Sequence, residues 1–204
     1  MVEWSVAAFR ACDSVHSIVV AAPPGHVGDL DGHDLDVVSG GATRAQSVAN
    51  ALEAVGTEYV AVHDAARPLL TPELVEALVA DLDAAPEAAG VIAAAPVTDT
   101  VKRADRSKRQ KPTSEGENCR LVIKGSEDRS DLWAAQTPQV FRTAALRQAL
   151  AVTQRPEEAT DEAMLVEWNG GAVLIHPVAE QNLKVTTPLD LRVAGLLLAD
   201  RAAP

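Results

Sequence analysis

The stretch Val62-His63-Asp64-Ala65-Ala66-Arg67-Pro68 sets an imidazole, a carboxylate and a guanidinium side by side, directly after the β-rich run Tyr59-Val60-Ala61-Val62. The carboxyl end of a strand is where open α/β sheets hold their ligands. Asp64 can hold a metal ion or a substrate hydroxyl there, and Arg67 can hold a phosphate. Pro68 ends the strand and stiffens the turn. The plainer alternative for Asp64 is a carboxylate that caps a turn. His63 is expected to be a packed, hydrogen-bonded side chain rather than a catalytic base.

Three more segments carry residues of interest. Gly40-Gly41 lies between a strand and a helix that carries Ser47, so backbone can approach a planar ligand with no Cβ in the way; an ordinary tight turn is the other reading. Trp133-Ala134-Ala135-Gln136-Thr137-Pro138-Gln139 reads as a proline-fixed turn beside a half-buried indole. Lys184 interrupts the apolar, β-branched run Asn182-Leu183-Lys184-Val185-Thr186, read as a strand, and its compact charge suits an incoming phosphate. No Ser-His-Asp, Cys-His or Gly-x-Ser-x-Gly arrangement accompanies them. Transfer between phosphates needs positioning and charge neutralisation, with no covalent nucleophile.

The elements that must position these residues alternate. Ser17–Val20, Leu35–Val38, Tyr59–Val62 and Gly90–Ala93 read as strands. Ala45–Val55, Pro72–Ala84 and the closing Leu189–Ala199 read as helices, the second opened by Thr71 as cap with Pro72 in first position. Strand-helix alternation predicts an α/β fold, a doubly wound, mostly parallel, Rossmann-like sheet with helices on both faces. Residues 1–204 are expected to form a single domain, with residues 99–131 as an appendage. There Lys102, Arg103, Arg106, Lys108, Arg109 and Lys111 crowd together ahead of Pro112, Gly116 and Gly125, and the alternation fails. The same basic cluster also reads as a solvated face.

A chain of 204 residues, 47% hydrophobic, can bury a sizeable core. Its formal charge of −11 disfavours nucleic acid and anionic membranes as partners, so an anionic substrate must meet a local basic cluster. Cys12 and Cys119 stand far apart outside any metal-ligand spacing, and a structural disulfide is not expected. With no signal-peptide pattern and no long apolar run, a cytoplasmic protein is expected.

Taken in order, Gly40-Gly41-Ala42-Thr43-Arg44-Ala45-Gln46-Ser47-Val48, the Val62–Pro68 stretch, Trp133–Gln139 and Asn182–Thr186 closely resemble the 2-C-methyl-D-erythritol 4-phosphate cytidylyltransferase family of non-mevalonate isoprenoid synthesis. The resemblance implies a nucleotidyltransferase using CTP, a polyol phosphate and Mg²⁺, with Asp64 touching the metal. It assigns Gly40, Gly41, Ser47 and Ala65 to the nucleotide, and Asp64, Arg67, Thr100 and Thr137 to the acceptor. Arg129 and Lys184 become the catalytic cations. Residues 99–131 become a β-arm for a homodimer, with Thr100-Val101-Lys102 and Arg120–Ile123 as its strands and a mobile tip between. Thr100 and Arg129 would then reach the acceptor across the dimer.

The chain departs from the family pattern at two points. Ala42 stands where many relatives carry an acidic residue, and nothing matches the family's glycine-rich triphosphate loop. Met1–Val6 resembles the helix after that loop, so the domain is expected to be N-terminally incomplete and to transfer little by itself. The rival enzymatic reading is a ribitol 5-phosphate cytidylyltransferase, against which Ala66 weighs because those relatives tend to carry valine there. A dimerising, non-catalytic binding module is the other. Thr160-Asp161-Glu162-Ala163, also a recurrent family string, is read as a helix start only.

Overall fold

The computed structural model describes residues 1–30, 35–110, 120–178 and 182–202. In chain order the elements are α1 (Val2–Arg10), β1 (Val19–Ala22), β2 (Asp36–Ser39), α2 (Arg44–Leu52), β3 (Tyr59–Val62), α3 (Pro72–Asp83), β4 (Gly90–Pro96), β5 (Lys102–Gln110), β6 (Arg120–Ser126), β7 (Trp133–Arg142), α4 (Thr143–Val152), α5 (Glu162–Trp168), β8 (Val173–Pro177) and α6 (Pro188–Ala202). The chain forms two compact units, Met1–Ala94 with Ala135–Pro204, and Ala95–Ala134.

The larger unit is built on a sheet of order β3-β7-β4-β8. β4 and β8 run parallel, while β7 runs antiparallel to β3, with Tyr59 opposite Arg142 and Val62 opposite Gln139. Six consecutive residues of β4, from Gly90 to Ala95, are buried, as a strand covered on both faces requires. Successive side chains alternate between two cores. Val91, Ala93 and Val140 pack with Leu78 and Leu82 of α3. Ile92 and Phe141 pack with Leu146 of α4 and Leu165 of α5 on the opposite face. Leu78, Leu82 and Leu146 are fully buried, each contributing about 1.5–3 kcal/mol by leaving water.

β1 and β2 pair in parallel as a separate ribbon among the described residues. A cavity of about 630 Å³ is lined by Val19–Ala21 of β1, Tyr59–Val62 of β3, and side chains of α1 and α2. Its lining is mostly apolar, and Arg44, Ser47, His63 and Asp64 are among the polar residues that border it. The expected helices are all present with shifted ends. Thr71 Oγ1 accepts from the Leu74 amide at 3.4 Å with Pro72 in the first turn, and Asp161 caps α5 by accepting from the Met164 amide at 3.0 Å. α6 buries Ala194 but leaves Leu189, Leu191 and Leu196 exposed.

Two expectations fail in this unit. Trp133–Gln139 is no turn but the first part of β7, a strand that pairs with β3. Pro138 is tolerated because it lies just past the last β3 pair, Val62 with Gln139, where the β3 ladder asks for no donor. Lys184, expected in a strand, sits instead on an irregular segment. Its β-branched neighbours bond to a loop, the Val185 amide donating to the Ala66 carbonyl at 2.7 Å, rather than to a sheet edge.

In the smaller unit β5 and β6 form an antiparallel ribbon, Lys102 opposite Ser126 and Gln110 opposite Arg120, with register shifts between. The first strand begins at Lys102 and runs nine residues, further than the expected Thr100–Lys102. Its charged run hides the strand because cross-strand partners replace apolar alternation: Lys102 Nζ donates to Ser126 Oγ at 2.6 Å, and Arg103 Nε to Glu127 at 2.7 Å. Leu121 and Ile123 are 52% and 62% exposed. The side chains of Arg106 and Arg109, residues 111–119 with the expected tip, and Cys119 lie outside the described residues. Cys12 is a buried free thiol.

Candidate active site

The site gathers at the carboxyl end of β3, where the strand stops at Val62 and the chain turns through Asp64 to Pro68. The turn is closed by the Arg67 amide donating to the Asp64 carbonyl at 2.9 Å. The Asp64 amide donates to Thr137 Oγ1 at 3.0 Å, which ties the turn to β7. The Thr137 hydroxyl lies 3.1 Å from His63 Nδ1, and His63 Nε2 lies 3.1 Å from the Arg67 carbonyl. A carbonyl can only accept, so Nε2 carries the proton and Nδ1 accepts from Thr137. Burial pushes the His63 pKa down to about 4, in keeping with a neutral ring packed edge-on against Phe9. His63 is thus a packed, hydrogen-bonded side chain, as expected, and its two bonds tie Thr137 to the turn.

Asp64 is the hub of the cluster. Its Oδ2 accepts from Lys184 Nζ at 2.8 Å, and its Oδ1 receives Arg44 Nε and Nη2 at 3.4 and 3.3 Å. Arg67 Nε stands 3.8 Å from Oδ2. Burial alone would raise the Asp64 carboxyl, but the Lys184 ammonium, then Arg44 and Arg67, outweigh it and hold the pKa below the ordinary carboxylate range. Arg67 is fixed by Nη1 donating to the Asn182 backbone carbonyl at 2.7 Å, while the Asn182 side-chain Nδ2 donates to the Thr137 carbonyl at 2.6 Å. Among the described residues the buried Arg67 Nε has no hydrogen-bond acceptor, a loss that costs about 1–3 kcal/mol for a desolvated donor. Arg44, Arg67 and Lys184 against Asp64 and the buried Glu162 leave a local excess of positive charge in a strongly acidic protein.

That arrangement does not fit Asp64 as a metal ligand. Both of its oxygens serve cationic donors, and a dication there would sit among three positive side chains. Among the described residues no group of three or more His, Cys, Asp or Glu side chains comes together to hold a metal ion. What the cluster can do is receive a phosphate between Arg67 and Lys184 while Asp64 turns an oxygen to a hydroxyl.

The glycine turn lies beside it. The Gly40 amide donates to the Ala22 carbonyl at 2.7 Å, the Gly41 amide to Ser47 Oγ at 3.0 Å, and the Ala42 amide to Gln46 Oε1 at 3.0 Å. The turn's amides are therefore occupied internally, and Ser47 acts first as the latch that shapes it. A Cβ on Gly41 would stand 2.3 Å from Gln46 Cγ, so the turn requires glycine there. Ser47, Arg44, Asp64 and Ala65 border one cavity, which brings the expected nucleotide and acceptor residues to a common space.

Asp64, Arg67, Thr137 and Lys184 are thus brought together. Thr100 and Arg129 belong to the smaller unit, where both are exposed and Arg129 Nη1 donates to the Thr98 carbonyl. Three residues of the site were not singled out from the sequence: Arg44, Asn182 and Glu162. Arg44 and Asn182 stand inside two of the quoted motifs, which was the available signal. Glu162, 1% exposed and ion-paired to Arg44, looked like an ordinary first-turn acid of a helix.

Residues 1–200 match the family model described as IspD, 2-C-methyl-D-erythritol 4-phosphate cytidylyltransferase. The chain is similar to the enzyme of that name from Paraburkholderia phytofirmans, 38% identical over 217 aligned residues that cover all of this chain and 85% of that one. It is also 42% identical to a bifunctional enzyme IspD/IspF from Anaeromyxobacter, covering 94% of this chain and 48% of that one. The crystal structure of 2-C-methyl-D-erythritol 4-phosphate cytidylyltransferase from Thermus thermophilus superimposes with a TM-score of 0.78 at 34% identity, over 97% of this chain and 88% of that one. With the fold, the Asp64 cluster and these relatives in agreement, the chain belongs to the 2-C-methyl-D-erythritol 4-phosphate cytidylyltransferase family.

Proposed function

We propose that this chain carries the acceptor site and cytidine-binding turn for transfer of a cytidylyl group from CTP to 2-C-methyl-D-erythritol 4-phosphate. An oxygen of the acceptor phosphate bonds to the α-phosphorus of CTP while the bond to the bridging oxygen of the leaving pyrophosphate breaks. A phosphate monoester is largely dianionic near neutral pH, so it attacks without a strong general base, in keeping with a neutral His63. Arg67 and Lys184 hold the acceptor phosphate, Asp64 takes a polyol hydroxyl and Thr137 adds a further hydrogen bond. Gly40, Gly41, Ser47 and Ala65 frame the cytidine. Magnesium is best matched to the phosphate oxygens of the nucleotide, since Asp64 does not fit it. The single observation that carries the reading is the gathering of Arg44, Arg67 and Lys184 on Asp64 at the end of β3, a cationic cluster in a strongly acidic protein.

The arm belongs to the same proposal. Leu121 and Ile123 expose apolar surface on an otherwise charged ribbon, which supports cover by a second copy of the chain, and in such a dimer Thr100 and Arg129 would serve the partner's acceptor. Soluble phosphate substrates fit a cytoplasmic location, and no helix among the described residues is long and apolar enough to cross a membrane.

Calorimetric titration with methylerythritol phosphate, with ribitol 5-phosphate and with CMP tests the reading. Methylerythritol phosphate should bind, more tightly than the ribitol ester, and CMP should bind at its own site. A chain that binds CMP but neither polyol phosphate overturns the acceptor assignment, and preference for the ribitol ester replaces the substrate.

A further inference from the structure

Asp64 is held by β7 along two separate routes. The first is direct, from the Asp64 amide to Thr137 Oγ1. The second starts two residues along the same strand, at Gln139, which is 1% exposed. Thr137 and Gln139 flank Pro138 on β7, and both side chains are buried. Gln139 Nε2 donates to Asp161 Oδ2 at 2.9 Å, and its Oε1 accepts from the Ala163 amide at 3.3 Å, which latches the start of α5 to β7. Between those two contacts lies Glu162, whose Oε1 accepts from Arg44 Nη1. Arg44 then reaches Asp64 Oδ1 through Nε and Nη2, closing the ring.

Glu162 is an expensive way to make a surface-level ion pair. Its side chain is 1% exposed, its buried Oε2 has no hydrogen-bond partner among the described residues, and burial, opposed by Arg44, leaves its pKa above the ordinary value. Such a pair contributes little net stability over apolar packing, and what it does supply is a defined geometry. Here the geometry delivered is the place of Arg44, which keeps Asp64 Oδ1 on the α2 side of the pocket. Oδ2 is already on Lys184, so without Arg44 the second oxygen, Oδ1, is free to turn onto Arg67 and cancel the remaining cation that an acceptor phosphate needs.

We infer that Arg44 and Glu162 form a positioning pair for the acceptor site, with Glu162 fixing Arg44 and Arg44 orienting Asp64. This rests on the acceptor reading above and adds residues and a sign to it. Arg44→Met should weaken binding of methylerythritol phosphate by roughly tenfold and Glu162→Gln by roughly three- to tenfold, with the double variant no worse than Arg44→Met alone. CMP binding should hold in all three.

The decisive case is Glu162→Gln at pH 8, because it removes a negative charge beside a site for a dianion. Field effects alone, or a freed Arg44 that grips phosphate, make binding tighter, whereas loss of positioning makes it weaker. Tighter or unchanged binding by Glu162→Gln, or additive losses in the double variant, overturns the inference. Should the buried charge left by either single change unfold the protein, the volume-matched Arg44→Met/Glu162→Leu variant removes both charges. It must then fold and still bind acceptor about tenfold more weakly, and wild-type affinity in it refutes the pair. A wild-type chain that binds no polyol phosphate refutes the acceptor reading and the inference with it, while acceptor binding indifferent to Arg44 refutes the inference alone.

Discussion

Lys184→Met separates the cost of losing a surface ion pair from the cost of losing a phosphate ligand. In the free protein the ammonium lies 2.8 Å from Asp64 Oδ2, with the lysine side chain 44% exposed and Asp64 16% exposed. A pair open to water on one side contributes about 0–1 kcal/mol to folding, and Asp64 keeps Arg44 and Arg67 when the lysine goes. Thermal stability should therefore change little. A charge-assisted hydrogen bond to the acceptor phosphate is worth about 1.5–3 kcal/mol. The lysine must leave Asp64 to make it, so the net loss on binding is about 1–2 kcal/mol. At about 1.4 kcal/mol per decade this predicts an acceptor dissociation constant roughly five- to thirtyfold weaker. Turnover should fall further, beyond about 10²-fold, where the phosphate is also misaligned for in-line attack.

Calorimetry with methylerythritol phosphate reads the first effect, and CMP titrated into the same variant is the control, expected to bind as in the parent. Added salt should narrow the gap between parent and variant, since an exposed ammonium is screened. An unchanged acceptor affinity would falsify the assignment. So would equal loss of CMP and acceptor binding, which would mean that Lys184 supports the pocket as a whole.

His63, with its pKa near 4 when folded against an ordinary 6.5, holds fewer protons in the folded state; its stabilising contribution is complete above about pH 6.5 and declines towards pH 4. Unfolding free energies from urea titration should fall by about 2 kcal/mol between pH 7 and pH 5, a loss that His63→Gln removes; because Glu162 has a raised pKa and works in the opposite sense, the difference between the two proteins is the quantity to read, and parallel pH profiles would sink the claim. Gly41→Ala drives a methyl group onto Gln46 and should weaken CMP binding while leaving acceptor binding and the far-ultraviolet dichroism as they are; undiminished CMP affinity would remove the turn from the nucleotide site. Mixing Arg129→Ala with Lys184→Ala subunits should restore about a quarter of parental transfer under random pairing, since half of the dimers then hold one intact site, and no recovery would return the arm to an ordinary charged ribbon.

What could be read from the sequence followed from short-range rules. A β-branched run ending in an acid and a proline placed β3 and its catalytic end, and Thr71-Pro72 placed the start of α3, because caps and proline act within one turn. Pro138 and Lys184 misled for the same reason. Proline reads as a turn and a β-branched run as a strand until the tertiary register shows that the ladder has ended at Gln139, or that the Val185 amide has gone to Ala66.

The site itself is a convergence of ends: the tip of β3, the first residue of α2, the first residue of α5 and two side chains of β7. Glu162 satisfies every local criterion for a helix-start acid and so gives no sign that it is more. Its partner Arg44 is 118 positions away, and Gln139 of β7 holds the start of α5, on which Glu162 stands, through Asp161 and the Ala163 amide. Motif matching places the residues proposed to touch substrate, since their spacing along one segment is short. The residues that aim them are spread across the chain, and the buried carboxylate with an unsatisfied oxygen marks where the fold has spent stability to keep Asp64 in place.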